Sequence, residues 1–531
     1  MNARSLVAIC ALLSACSSEP PATHPPASPP APVTEPPDSP SPEPLPPGTA
    51  RVEGGLVSGV KHDALWVWKG IPFAAPPTGD LRFRPPAPVV PWDGTRAATE
   101  FGPPCPQLRD GAPIGDEDCL TLNVWAPEAA ASAPVLVWIH GGGNVQGTAS
   151  DPIYDGAMLA ARTGSVVVTI EYRLGALGFF AHDALDAERQ PRVSGNYGIL
   201  DQQAALRWVQ ANVAAFGGDP SRVLLFGESA GAQDTLVHVT SPRSAGLFHA
   251  AAVQSGGIYT TTLAEGKTAT AMLVAAVGCD AAPDVAACMR QRSAEDFVRV
   301  PTALGPLDRS GIRYTPLVDG YVLSRNGFET MARGEHNHVP IILGTNGDET
   351  SQMVPNVSTE QEYSAALIQL YGAERAAKVK LAYPTSRFAS PRKALIAVTT
   401  DATWTCPARR IARLLTAHQT EPVHRYYFTW KLKGLAGAVV GATHGLDVPF
   451  VFHTFGSFDG YAPDPAAVSL SNAMQDYWNR LAAHGDPNGA GALTWPRYDA
   501  ASEAYLHLDE TIAVGERLAN VDCDAIDAAA Q

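Results

Sequence analysis

The chain has 531 residues, with 38 lysines and arginines against 53 aspartates and glutamates, and a formal net charge of −15. That length can bury a large core. The acidic balance, broken by no lysine or arginine run, disfavours electrostatic binding to nucleic acid.

In chain order, the first feature is a targeting segment, residues 1–16. Arg4 supplies a short positive region and Leu6–Leu13 a short apolar one, closed by Leu13-Ser14-Ala15-Cys16. The apolar run is too short to span a bilayer in the mature protein. Leu-Ser-Ala-Cys is similar to the lipobox of bacterial lipoprotein signals. That similarity implies lipidation of Cys16 and export. Ser17, in place of an aspartate, then favours anchoring at the outer membrane. An ordinary secretory signal that happens to hold a cysteine is the plainer alternative. Residues 17–49 are mostly Pro, Ala, Ser and Glu, too poor in large apolar side chains to offset the entropy of ordering. Polyproline II geometry, at ~3.1 Å per residue, makes this a tether on the order of 100 Å long. The expected catalytic body is residues 50–531.

Five short apolar runs read as buried strands: Val135–Ile139, Ser165–Ile170, Val223–Phe226, Ala250–Gln254 and Val339–Leu343. Runs apolar on both faces suit a central, mostly parallel sheet flanked by helices. Gly198–Ala215 carries Leu200, Ala204, Trp208 and Val209 near helical spacing and is predicted to be such a helix. Strands alternating with helices make the fold class α/β.

The most informative stretch is Phe216–Gly231, FGGDPSRVLLFGESAG. It sets a G-x-S-x-G pentapeptide directly after the strand Val223–Phe226, the context of a nucleophile elbow. By itself the pentapeptide is weak, since two glycines around a serine arise by chance. The preceding strand and the small residues Ala230-Gly231-Ala232 strengthen it, making Ser229 the candidate nucleophile. A serine hydroxyl needs a base oriented by a carboxylate, and amides aimed at the developing oxyanion. His140-Gly141-Gly142-Gly143, immediately after Val135–Ile139, is the candidate oxyanion loop. No Gly-Lys-Ser/Thr follows it, which argues against a nucleotide loop. His140 itself reads as a residue that holds that loop through a hydrogen bond. Among fourteen histidines, His444 stands out in GATHGLD, a loop after the strand-like His424–Trp430 region; a solvated loop histidine is the plainer reading. Gly344-Thr345-Asn346-Gly347-Asp348-Glu349-Thr350 follows a strand and offers two carboxylates, Asp348 and Glu349. The residues alone leave that choice open.

At this point the sequence resembles the type B carboxylesterase family of the α/β-hydrolase superfamily. FGGDPSRVLLFGESAG fits its serine signature and Glu117–Val124, EDCLTLNV, its second signature. WIHGGG, NYGILDQQAALRWVQ, GTNGDET and GATHGLDVPFVF fall in the family's order. The resemblance runs from about Arg51 to Cys523. It implies an α/β-hydrolase fold with long loop insertions and hydrolysis of carboxylic esters through an acyl-enzyme. It makes Ser229 the nucleophile, Glu349 the acid and His444 the base. Gly142, Gly143 and the amide of Ala230 become the oxyanion hole, with Glu228 and Ser255 buttressing the triad. It also implies the disulfides Cys105–Cys119, Cys279–Cys288 and Cys406–Cys523. No metal or organic cofactor is implied. The expected partner is a small-molecule ester, with no nucleic acid and no membrane contact beyond the lipid; oligomeric state stays open.

Two departures from the family pattern matter. Asn144 stands where an aromatic usually follows the glycines, which suggests a more polar or more open acyl side. The Cys105–Cys119 loop is short and lacks the tryptophan that would hold a quaternary ammonium, so choline esters are disfavoured. A non-catalytic adhesion protein on the same fold is the rival from another class. Retention of serine, acid, histidine and glycine loop argues against it.

Overall fold

The doubly apolar runs become the centre of an eleven-stranded sheet in the computed structural model, which describes residues 45–531 except 189, 192, 305–306, 309–310, 458–460, 519–521 and 531. The expected targeting segment, Cys16 and nearly all of the expected tether lie outside the described residues. In chain order the strands are β1 (Val60–His62), β2 (Leu65–Pro72), β3 (Thr121–Pro127), β4 (Ala133–Ile139), β5 (Val166–Ile170) and β6 (Gly218–Glu228). They continue as β7 (Ala250–Gln254), β8 (Ile341–Asn346), β9 (Val423–Phe428), β10 (Tyr505–Leu508) and β11 (Ala513–Gly515). Across the sheet the order is β1-β2-β3-β5-β4-β6-β7-β8-β9-β10-β11. The seven strands from β5 to β10 in that order are parallel; the strands at both edges pair antiparallel.

Strand side chains alternate between faces, and here both faces are buried. Val135, Val137 and Ile139 of β4, Val223 and Leu225 of β6, and Ile341 and Leu343 of β8 face one core. Leu206 and Val209 of α1 (Tyr197–Asn212), Leu236 of α2 (Ala230–Thr240) and Ile411 of α3 (Cys406–His418) share it. Leu136, Trp138, Leu224, Phe226 and Ile342 face the other core, closed by Phe450, Phe452 and by Met474, Trp478 and Leu481 of α4 (Pro465–His484). Helices on both faces of a parallel sheet leave the carboxyl ends of its strands to carry the chemistry.

The expected α/β-hydrolase architecture is therefore present. The predicted strands sit in place, β6 extending further at both ends than its apolar run. The helix expected over Gly198–Ala215 ends at Asn212 and gives way to a 3-10 turn, Val213–Phe216. The compact unit begins at Pro46, slightly before the expected boundary at residue 50. The reason is local: Trp68 Nε1 donates to the Gly48 carbonyl at 2.9 Å, and Thr49–Val52 pairs antiparallel with Gly55–Ser58. The insertions after β7 and β8 are largely helical, for example Leu263–Ala276 and Glu360–Tyr371.

All three implied disulfides are formed, Cys105–Cys119, Cys279–Cys288 and Cys406–Cys523. The last spans 117 residues and ties α3 to the C-terminal helix α5 (Cys523–Ala530). In the chain-entropy picture a closed loop of that length restricts the unfolded chain by about 4–5 kcal/mol.

Candidate active site

Ser229 joins β6 to α2 in a backbone conformation of φ 57° and ψ −119°, a region that non-glycine residues occupy only when their surroundings compel it. The two glycines of the pentapeptide show what compels it. A Cβ on Gly231 would lie 2.0 Å from the Ile139 carbonyl oxygen, and one on Gly227 would lie 2.5 Å from the Gly231 carbonyl. Helix α2 thus starts pressed against the ends of β4 and β6, and the serine between them is thrown outward. Its amide is held by the Gln254 carbonyl at 3.0 Å.

The glycine loop after β4 lies beside the elbow. Gly142 has φ +110° and Gly143 φ +66°, and a Cβ on Gly142 would meet the Gln146 carbonyl oxygen at 2.1 Å. The Gly142 carbonyl accepts from the amides of Val145 and Gln146 at 3.2 and 3.1 Å. His140 is fully buried, stacks on Tyr172 with centroids 4.5 Å apart, and its Nδ1 lies 2.8 Å from the Gly141 carbonyl. The far end is clamped by the Cys105–Cys119 loop, where Gln107 exchanges two hydrogen bonds with Gly147, at 2.7 and 2.8 Å. Among the described residues, the amides of Gly142, Gly143 and Ala230 donate no hydrogen bond within the protein. Ala230 also opens α2, where the helix dipole favours negative charge.

His444 and Glu349 come from loops that follow different strands and meet at the sheet's carboxyl edge. His444 Nδ1 lies 2.5 Å from Glu349 Oε2. Glu349 is completely buried; its other oxygen accepts from the Asn346 amide at 2.7 Å. Asp348 turns elsewhere: it pairs with Lys393 at 3.0 Å and Lys431 at 3.6 Å and accepts from the Ala442 amide. Burial opposes its ionisation, yet those lysines hold its pKa below the usual carboxylate range. The geometry therefore separates the two adjacent acids that the residues alone left open.

On its other side the imidazole faces Glu228, with Nε2 3.1 Å from Oε1, although the contact is not aligned as a hydrogen bond. Among the described residues no hydrogen bond joins His444 to the Ser229 hydroxyl, which is partly exposed in the cleft. Burial raises Glu228 to about 8; His444 pulls it down, while Asp447 and Glu349 add to the rise. Burial draws His444 down, but Glu228 and Glu349 outweigh it and hold the imidazole up to about 9. Ser255 is buried, its amide bonded to the Gly344 carbonyl at 2.9 Å, and its hydroxyl faces the cleft with no protein partner.

Motif reading did not single out several residues around this centre. Trp404 packs its ring 4.8 Å from the His444 ring and lies in a π-turn, Asp401–Thr405, just ahead of Cys406. Such turns recur at functional sites, but their sequence carries no signature. Asp447 is buried and accepts from Gln254, Tyr426 and Asn346 at 2.9, 2.8 and 3.1 Å. It stands inside the GATHGLD motif, where a carboxylate three residues after the histidine was the available clue. The cleft is open to solvent and includes Ser229, Ala230, Gly143, Tyr259, Arg313 and Trp404 among its walls. Asn144 also lines it, but the expected gain in polarity is small. Its side chain is spent on Asp234 and Tyr172, each at 3.3 Å, and the residue is 1% exposed.

Comparison with known proteins agrees with this geometry. Residues 47–526 match the model of the carboxylesterase family. The chain is 37% identical over 474 residues to a fumonisin B1 esterase of Sphingopyxis macrogoltabida, covering 85% of this chain and 84% of that protein. It is 34% identical over 480 residues to the para-nitrobenzyl esterase of Bacillus subtilis, covering 87% and 94%. A solved PNB esterase structure superposes with a TM-score of 0.79 at 32% identity, covering 90% of this chain and all of that one. With a serine at a strand–helix elbow, free loop amides and an acid-bound histidine already in place, this chain belongs to the carboxylesterase family and is a carboxylic ester hydrolase of the α/β-hydrolase superfamily.

Proposed function

We propose that Ser229, His444 and Glu349 form the catalytic triad and that ester cleavage passes through an acyl-Ser229 intermediate. The observation that carries this is the 2.5 Å contact between His444 Nδ1 and Glu349 Oε2, with the imidazole packed on Trp404, a wall residue of the cleft that holds Ser229. His444 Nε2 leaves Glu228 and takes the Ser229 proton as Oγ attacks the ester carbonyl. Glu349 keeps the proton on Nδ1 and stabilises the imidazolium. The amides of Gly142, Gly143 and Ala230 receive the oxyanion, the kind of preorganised donor set whose loss costs about 2.7–4 kcal/mol per donor. His444 then protonates the leaving alcohol, and water resolves the acyl-enzyme by the same route. Relatives named for fumonisin B1 and para-nitrobenzyl esters share the family, so no single relative's ester is carried over.

In the same reading the enzyme is exported and held at the outer membrane by a lipid on Cys16, with residues 17–44 as spacer. The support is the Leu-Ser-Ala-Cys sequence and the proline-rich composition that follows it.

Three outcomes are expected. On p-nitrophenyl esters from acetate to palmitate, Ser229→Ala abolishes turnover, and Glu349→Gln loses far more kcat than Asp348→Asn, since only Glu349 holds the imidazole. Equal losses for the two acids would contradict the assignment. His444 must be neutral to act as a base, so activity falls as pH drops through its pKa. Removing the Glu228 carboxylate withdraws support for the imidazolium, and Glu228→Gln therefore moves the acid limb of kcat/KM to lower pH by roughly 1 unit; an unmoved limb would refute this role. Finally, Cys16→Ser abolishes partitioning into the detergent phase, and continued partitioning would rule out the lipid anchor.

A further inference from the structure

The two halves of the proposed oxyanion site come from different elements, the glycine loop after β4 and the first turn of α2. Gly142, Gly143 and Asn144 stand at φ +110°, +66° and +60°, three consecutive positive-φ residues, of which the two glycines have no side chain to anchor them. Asn144 ties this stretch down. Its carbonyl accepts from the Gly175 amide at 2.7 Å, and its side-chain amide donates to Asp234 Oδ1 at 3.3 Å. Among the described residues, that is the one hydrogen bond between residues 141–147 and α2. The side-chain oxygen of Asn144 accepts from the Tyr172 hydroxyl at 3.3 Å, which also donates to the His140 carbonyl at 2.9 Å.

Asp234 lies one turn into α2 from Ala230 and is completely buried. Its second oxygen accepts from Gln202 of α1 at 2.6 Å, and the Gln202 side-chain oxygen lies 3.0 Å from His238 Nε2, again on α2. Burial pushes Asp234 up to about 7, while Gln202, Asn144 and His140 draw it down. Among the described residues it makes no salt bridge. A carboxyl buried between two amides is costly to keep, and local rules are broken in this way mostly where a site needs it. What Asp234 does here is fix a distance. With both partners buried, Asn144 cannot leave Asp234 without stranding a donor and an acceptor. Asparagine also suits the backbone, since it tolerates positive φ better than most residues with a Cβ. An aromatic side chain at this position would fill space but could not make the bond.

We propose that Asn144 and Asp234 are positioning residues for the oxyanion hole, their hydrogen bond setting the Gly142 and Gly143 amides at a fixed distance from the Ala230 amide on α2. This rests on the reading of those three amides as the donors that receive the oxyanion when Ser229 attacks. A displacement of about 1 Å between groups that act together costs on the order of 100-fold in rate. The donors meet the oxyanion rather than the ground-state carbonyl, so the effect falls on kcat more than on substrate binding.

The test uses the purified full chain, p-nitrophenyl butyrate and two matched inhibitors. A trifluoromethyl ketone accepts the serine oxygen at its carbonyl carbon, giving a hemiketal oxyanion as the serine proton passes to His444. The methyl ketone of the same carbon chain only occupies the cleft. Asn144→Gly suits the positive φ and removes the side chain alone. It lowers kcat by about tenfold or more with KM held within about threefold. It weakens the trifluoromethyl ketone by a similar factor and leaves the methyl ketone unchanged. Asp234→Ser does the same, and the double variant loses little more than either single one, because both act through one bond. An unchanged kcat, equal weakening of both ketones, or losses that multiply in the double variant would each overturn the proposal. Asn144→Gly alone decides the matter if Asp234→Ser fails to fold. Ser229→Ala separates the two readings: if it binds the trifluoromethyl ketone as tightly as the unmodified enzyme does, the nucleophile assignment falls, whatever the asparagine variant shows.

Discussion

The structure turns on one close approach, between the start of α2 and the ends of β4 and β6. With Gly231 placed so that even a methyl group would sit 2.0 Å from the Ile139 carbonyl oxygen, the chain has no room to enter the helix in an ordinary conformation. Ser229 absorbs the turn at φ 57°, a strain of about 1–3 kcal/mol by general experience. The parallel sheet, buried on both faces, supplies the rigidity that sustains it. The consequence is geometric: the serine hydroxyl, the Ala230 amide and the glycine-loop amides converge because β4 and β6 are hydrogen-bonded neighbours. Fixing the two strand ends fixes the serine and the amides beside it together.

The second organising feature is a concentration of buried acid around one histidine. Glu349 contacts His444 Nδ1, Glu228 faces Nε2, and Asp447 sits behind in a shell of three hydrogen-bond donors. Burial alone would keep the imidazole neutral and the carboxyls protonated. The carboxylates act in the opposite direction on the imidazole, so it is supported in its charged form, the one the proposed attack by Ser229 would produce. Charged lysines hold Asp348 apart from this cluster, which is why two consecutive acids in one loop have such different surroundings.

Much of this was legible in the residues. The central strands announce themselves because both of their faces are apolar, and the elbow because only small residues tolerate its packing. The disulfide pairing and the choice of Glu349 over Asp348 came from family resemblance, since neither loop direction nor cysteine partner can be computed from spacing. Trp404, Arg313 and Tyr259 escaped notice for a physical reason. They reach the cleft from insertions after β7 and β8, through long-range packing that leaves no periodicity behind. The partners of Asn144 were hidden on the same ground. Asp234 and Tyr172 are distant in sequence, and they take up its side-chain amide, which limits the polarity it adds to the cleft.

The most direct test of the central claim is a crystal structure of the enzyme after reaction with an aryl phosphonate, which mimics the tetrahedral intermediate. The account predicts phosphorus bonded to Ser229 Oγ and a phosphoryl oxygen within hydrogen-bond distance of the Gly142, Gly143 and Ala230 amides. It also predicts His444 Nε2 turned from Glu228 toward the serine oxygen, with Nδ1 still on Glu349. Phosphorus on any other residue, or an oxygen directed away from the glycine loop, would contradict it.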